Sequence, residues 1–354
     1  MIDEPTAARR AAAAGAHEQP APPPPAASLG GRAAASPFPG AEAAAGEAAA
    51  ARRAGLRERI SGERARIRER QERLNARSGR NIGLAVVIGL GIGLALILSL
   101  VIWKPLFILF GMAMVGLGAA ELAGAMRLSG RDVPRIPTVA LGTAVIPIAY
   151  FLGPAAQWIA LCAAIVLCSL WRIVEALGQR PRPAIAEVRR DLLAGAFIQL
   201  YVTFLGSFTT ILAAQPHGEY WVLGFIIPVV AIDTGALAAG VKFGRTKLAP
   251  TISGGKTWEG LAGGAVAGTI AAVLVSMFML GEPWWLGLVI GPVLLLSATI
   301  GDLFESMVKR DLGVKDMSSW VPGHGGILDR LDSILPSGAM MFALYFIVAA
   351  IADR

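Results

Sequence analysis

The chain has 354 residues, 55% of them hydrophobic and only 16% charged, with 42 glycines and a mean hydropathy of +0.60. A soluble domain carries about a quarter of its residues as charges, so these values exclude one. The formal charge is +7, and the segment 51–80, with eleven arginines against four glutamates, accounts for it; the basic pI therefore reflects one local run, and no nucleic-acid partner is expected.

In chain order, residues 1–50 are mostly Ala, Pro and Gly, including Pro22 to Pro25. They lack both periodicity and enough large apolar side chains to build a core, and disorder is expected. From Arg52 to Arg80, Arg and Glu interleave with Leu56, Ile60, Ile67 and Leu74. This reads as a helix with a thin apolar stripe. It either adheres to anionic headgroups or is a solvated run that fixes topology. No early apolar segment resembles a cleavable signal peptide.

After Asn81 the sequence is dominated by apolar windows. A bilayer core about 30 Å thick needs roughly 20 apolar residues in a helix, and nine windows qualify: 82–103, 106–126, 136–153, 155–171, 191–214, 220–241, 258–280, 285–303 and 334–351. The third and fourth are interrupted by Pro137, Pro147 and Pro154 and could form one irregular hairpin. The expected class is an all-α, polytopic transmembrane protein with a disordered N-terminal tail. Its divisions are a tail at 1–80, N-terminal helices at 81–190 and a C-terminal region at 191–354.

Basic residues alternate across these windows. Arg127, Arg131 and Arg135 follow the second; Arg172, Arg180, Arg182, Arg189 and Arg190 the fourth; Lys242, Arg245, Lys247 and Lys256 the sixth; Lys309, Arg310, Lys315 and Arg330 the eighth. By the positive-inside rule this puts the tail and those four connections in the cytoplasm. Glycines four residues apart, Gly89 with Gly93 and Gly260 with Gly264 and Gly268, allow close helix contact. Packing within one chain is the favoured reading, with a homodimer as the alternative. Cys162 and Cys168 lie about 9 Å apart along one helix, too far for a disulfide.

The chemistry concentrates in the last two basic connections. Asp233 stands inside an apolar run, where an ionised carboxylate is costly unless it is paired or wet; a purely structural ion pair is the alternative. Gly254-Gly255-Lys256-Thr257 misses the phosphate-loop pattern because Pro250 stands where a glycine is required, yet Lys256 at a helix start could still help hold an anion. On a helix, Asp302, Glu305, Ser306 and Lys309 form one stripe. Asp329 and Asp332 repeat the spacing after a glycine-rich turn. Aspartates converging from two helices beside cations suit Mg²⁺ and phosphates together. The alternative is a salt-bridged interfacial loop. His324 alone does not argue for zinc in a chain with three histidines.

At these positions the sequence resembles the phosphatidate cytidylyltransferase, or CDP-diacylglycerol synthase, family. The spaced pattern runs through Ser306, Lys309, Arg310, Lys315, Asp316, Pro322, His324, Gly325, Gly326, Asp329, Arg330 and Asp332. Ser253-Gly-Gly-Lys256-Thr-Trp-Glu259 is similar too, with Gly254 where the family commonly has proline. The resemblance covers roughly 190–340 and implies that CTP and phosphatidate give CDP-diacylglycerol and pyrophosphate, with Mg²⁺, at the cytoplasmic boundary of the cell membrane. The residues' own chemistry makes Asp302, Asp329 and Asp332 the expected metal ligands. Lys309, Arg310, Lys315 and Arg330 would bind phosphate oxygens, with Lys256, Ser306, His324 and Asp233 as further substrate contacts. A CTP-dependent polyprenol-type lipid kinase and a membrane transporter are the alternative readings.

Overall fold

The computed structural model describes residues 82–180, 182–314, 317–318 and 326–352. The expectations for the tail at 1–80, and for Lys315 and His324, lie outside the described residues. The helices are α1 (Ile82–Ile102), α2 (Lys104–Leu128), α3 (Arg135–Gly178), α4 (Ile185–Ala214), α5 (Gly218–Phe243), α6 (Trp258–Leu280), α7 (Trp284–Asp311), the single turn α8 (Leu328–Leu331) and α9 (Ile334–Ala352).

Among the described residues, seven helices are long and apolar enough to cross a membrane. The chain is a multi-pass membrane protein. These seven contain eight of the nine expected windows, and α1 corresponds to the ninth. α1 is apolar along its whole length, Ile82–Ile102, and the third and fourth expected spans are the two arms of α3, which breaks and doubles back at Gly153 so that Arg172 on the second arm meets Asp132, just before the first, at 3.4 Å. The break has a local cause. Pro154 lacks a donor and turns its predecessor away from helical geometry, and Gly153 takes φ 79°, ψ −170° without the clash a Cβ would bring.

One small sheet departs from an otherwise helical plan. β1 (Lys247–Ala249) pairs antiparallel with β2 (Ser253–Thr257), so the segment expected to open a helix is a hairpin leading into one. Helix α6 starts at the next residue because the Thr257 hydroxyl accepts from Gly260 N at 3.1 Å, a cap worth about 1 kcal/mol.

In lipid, helices associate through close packing rather than through escape from water. The glycine stripe of α6 supplies that contact: a methyl at Gly260 would press on Ala236 O at 2.9 Å, one at Gly264 on Ile232 O at 3.0 Å, and one at Gly268 would overlap the Ile232 side chain. That stripe packs on α5 within the chain, as expected. Gly89 and Gly93 differ, since neither has a described neighbour within 4 Å of where a Cβ would stand. The buried apolar side chains form two clusters. Leu122, Ile198, Val202 and Leu328 belong to one, which binds α2 and α4 to the α8 turn. Val222, Phe225, Ile290 and Met341 belong to the other, which joins α5, α7 and α9. Cys162 and Cys168 are both free thiols.

Candidate active site

Helix α7 carries Asp302, Glu305, Ser306 and Lys309 in the expected stripe. The Glu305 side chain is fully buried, and Lys309 Nζ reaches its Oε2 at 3.0 Å and Asp329 Oδ1 at 2.9 Å. One ammonium thus ties α7 to the glycine-rich turn. Asp329 Oδ2 accepts from Gly326 N at 2.6 Å and from Met317 N at 3.4 Å, so both its oxygens hold the turn in place.

Asp332 reaches the same region because α7 is notched. A methyl on Gly301 would overlap Asp332 O and Pro336; without it the start of α9 lies directly against α7. Asp332 thereby stands within electrostatic range of Asp302 and Asp233 and beside Glu305. Asp302 is ion-paired to Lys256 at the end of the hairpin. Asp233, ten residues before the end of α5, Lys256 and Asp302 line a cavity of about 410 Å³ between α5, α6 and α7. Small residues at Ala236, Gly240, Gly260 and Ala298 leave that space open. Arg330 acts electrostatically on Asp233.

The fold therefore brings together Asp233, Lys256, Asp302, Lys309, Asp329, Arg330 and Asp332. Arg310 points elsewhere. It is exposed and its Nε donates to Ile252 O at 2.5 Å, which ties the hairpin turn to α7. Ser306 is half-buried on the α7 stripe.

Among the described residues no three His, Cys, Asp or Glu side chains are placed as a ready metal cage, and the three expected ligands, Asp302, Asp329 and Asp332, have other partners here. The physical reason is visible at two of the three: Asp329 is committed to Lys309 and to backbone N–H groups, and Asp302 to Lys256. The donor chemistry nevertheless suits a hard divalent cation. Five carboxylates, Asp233, Asp302, Glu305, Asp329 and Asp332, crowd near three described cations, Lys256, Lys309 and Arg330. Glu305 Oε1 is buried with no hydrogen-bond donor among the described residues.

Two residues that sequence reasoning passed over belong to this assembly. Glu121 on α2 is buried, and its carboxylate accepts from Ser318 Oγ at 2.7 Å, Ile327 N at 2.9 Å and Leu328 N at 2.8 Å. It clamps the turn that presents Asp329 and Arg330. A lone carboxylate in an apolar run was the available signal. Tyr201 lies on a π-helical turn, Gln199–Phe204, within α4, a distortion frequent at functional sites. Its hydroxyl is buried, without a hydrogen-bond partner among the described residues, and feels the charges of Glu305, Asp332 and Asp302. Glu121→Gln should loosen the turn, because an amide turns NH₂ toward donors where two oxygens had accepted. About 1–3 kcal/mol of local order is at stake. Faster proteolysis near 317–328 and at least about a tenfold loss of turnover are the expected readouts.

Apolar membrane helices thus close on a cluster of carboxylates and cations beside a cavity. The cytidylyltransferase family model matches residues 83–348, and the chain belongs to that family. A phosphatidate cytidylyltransferase of Mycobacterium leprae is 34% identical over 276 residues, covering 76% of this chain and 88% of that protein. One from Mycobacterium bovis is 36% identical over 267 residues, covering 74% and 87%. One from Haemophilus influenzae is 41% identical over 137 residues, covering 37% and 48%.

Proposed function

We propose that the protein transfers a cytidylyl group from CTP to phosphatidate, giving CDP-diacylglycerol and pyrophosphate. The observation that carries this reading is the cavity walled by Asp233, Lys256 and Asp302 among the ends of apolar helices, with Lys309 and Arg330 close by. Both reactants are anions, so the site must first offset their repulsion and then align the lipid phosphate with the α-phosphorus of CTP. Catalysis by positioning and charge stabilisation meets that demand. No general base is required, because a phosphate monoester with a second pKa of about 6 is already largely dianionic.

Asp302 and Asp332, with Asp233 adjacent, would hold Mg²⁺, which when bound neutralises nucleotide and pyrophosphate oxygens. Lys256 and Arg330 bind phosphate oxygens. Lys309 and Asp329 hold the glycine-rich turn in register, and Tyr201 can donate its hydroxyl to a carboxylate or phosphate oxygen. The diacyl tails stay in the bilayer while CTP arrives from water, so the site belongs at a membrane boundary. The alternation of basic connections supports the cytoplasmic side of the cell's inner membrane, with the N-terminus on the same side.

Purified protein given CTP, phosphatidate and Mg²⁺ should release pyrophosphate and form CDP-lipid in equal amounts. Release of CDP in place of pyrophosphate, or no CTP turnover at all, would overturn the reading.

A further inference from the structure

A second cavity lies on the other side of the α8 turn. It is walled by α1, α2, α4 and the start of α9, through side chains such as Leu96, Phe107, Phe110, Met114 and Leu335. Its lining is almost wholly apolar, and one full charge borders it: Arg330. That same guanidinium acts on Asp233, which lines the cavity between α5, α6 and α7. One cation thus borders the apolar slot and acts on a carboxylate of the first cavity.

An apolar slot inside a bilayer protein gains nothing from hiding from water, since lipid tails are as apolar as its walls. Its use must come from what it selects. A molecule with a hydrocarbon chain and a phosphate matches it at both ends, through dispersion contacts along the walls and charge complementarity at Arg330, whose fork of five N–H donors suits phosphate oxygens. We propose that this slot between α1, α2 and α4 seats one acyl chain of the phosphatidate substrate, with Arg330 holding its phosphate toward the Asp233–Asp302 cavity. The proposal rests on the phosphatidate reading above and adds to it the place and the measuring wall for one tail. The cavity is about 110 Å³, space for a segment of one chain.

Met114 is half-buried and lines the slot, and Met114→Trp would fill it. The ratio of kcat/KM for dioleoyl over dioctanoyl phosphatidate should then fall by about tenfold, the scale of overpacking a space that the longer chain needs. Leu109→Trp, on the lipid-facing side of the same helix at 58% exposure, should leave the ratio alone. An unchanged ratio in a folded Met114→Trp protein, or the same shift in both variants, overturns the proposal.

A second measurement uses the unaltered protein in phosphatidylcholine vesicles containing phosphatidate with a diazirine along one chain. Crosslinks on 92–115 and 206–210 support the slot. Crosslinks spread over all lipid-facing helices, or an equal yield on those segments from a diazirine phosphatidylcholine, overturn it. Absence of any CDP-lipid from the unaltered protein sinks the cytidylyltransferase reading instead, and the crosslinking result then stands by itself.

Discussion

With Lys309 replaced by alanine, the protein is expected to lose CDP-lipid synthesis altogether and to unfold at a lower temperature. The ammonium is only 17% exposed and faces Glu305 at 0% and Asp329 at 10%. Removing it strands two carboxylates in a region with little water, and breaking a buried pair in this way costs about 3–5 kcal/mol. The loss should divide into two parts. Lys309→Ala combined with Glu305→Gln removes one of the stranded charges and should recover much of the thermal stability without recovering turnover, because the Asp329 turn still lacks its tie to α7. Differential scanning fluorimetry in detergent, run beside the CTP assay, separates the two. Recovery of activity along with stability would show that Lys309 serves the fold alone.

Asp302→Asn should behave differently. Asp302 is about one-third exposed where it meets the cavity, and an amide of nearly the same shape fits there. Folding should be preserved, while the negative charge that faces Lys256 is gone. Turnover is expected to fall about a hundredfold, the scale seen when one preorganised electrostatic contact is removed from an active site. Raising Mg²⁺ should restore part of the rate if the charge serves a cation. A rate insensitive to Mg²⁺ would instead confine Asp302 to pairing with Lys256.

The sequence made some of these features legible and hid others, for physical reasons. Helix positions were readable because a bilayer imposes a one-dimensional rule, some twenty apolar residues between polar ends, and windows such as 106–126 and 258–280 obey it. The stripe from Asp302 to Lys309 was readable because helical spacing fixes which residues share a face. The hairpin across Gly153 was readable as one of two possibilities, because Gly-Pro is equally at home in a loop or a break within a helix. The hairpin at 247–257 was obscured because Gly254 and Gly255 are poor strand formers, and the contacts that tie it to α7, through Lys256 and Arg310, are long-range. Glu121 stayed hidden for a third reason: its donors, Ile327 N and Leu328 N, come 206 and 207 residues later. Arg172 likewise reads as one topological charge among several, yet it is buried against Asp191 at 2.8 Å.

The reach of Glu121 across the chain has a consequence for biogenesis. A translocon that has released α2 has already left a carboxylate in the membrane, and the backbone groups that will satisfy it have not yet been translated. Until they arrive, that side chain must stay protonated, borrow water or rest against the insertion machinery. Nascent chains halted before residue 326 should therefore be preferred prey for membrane quality-control proteases, and a Glu121→Leu chain halted at the same point should survive longer.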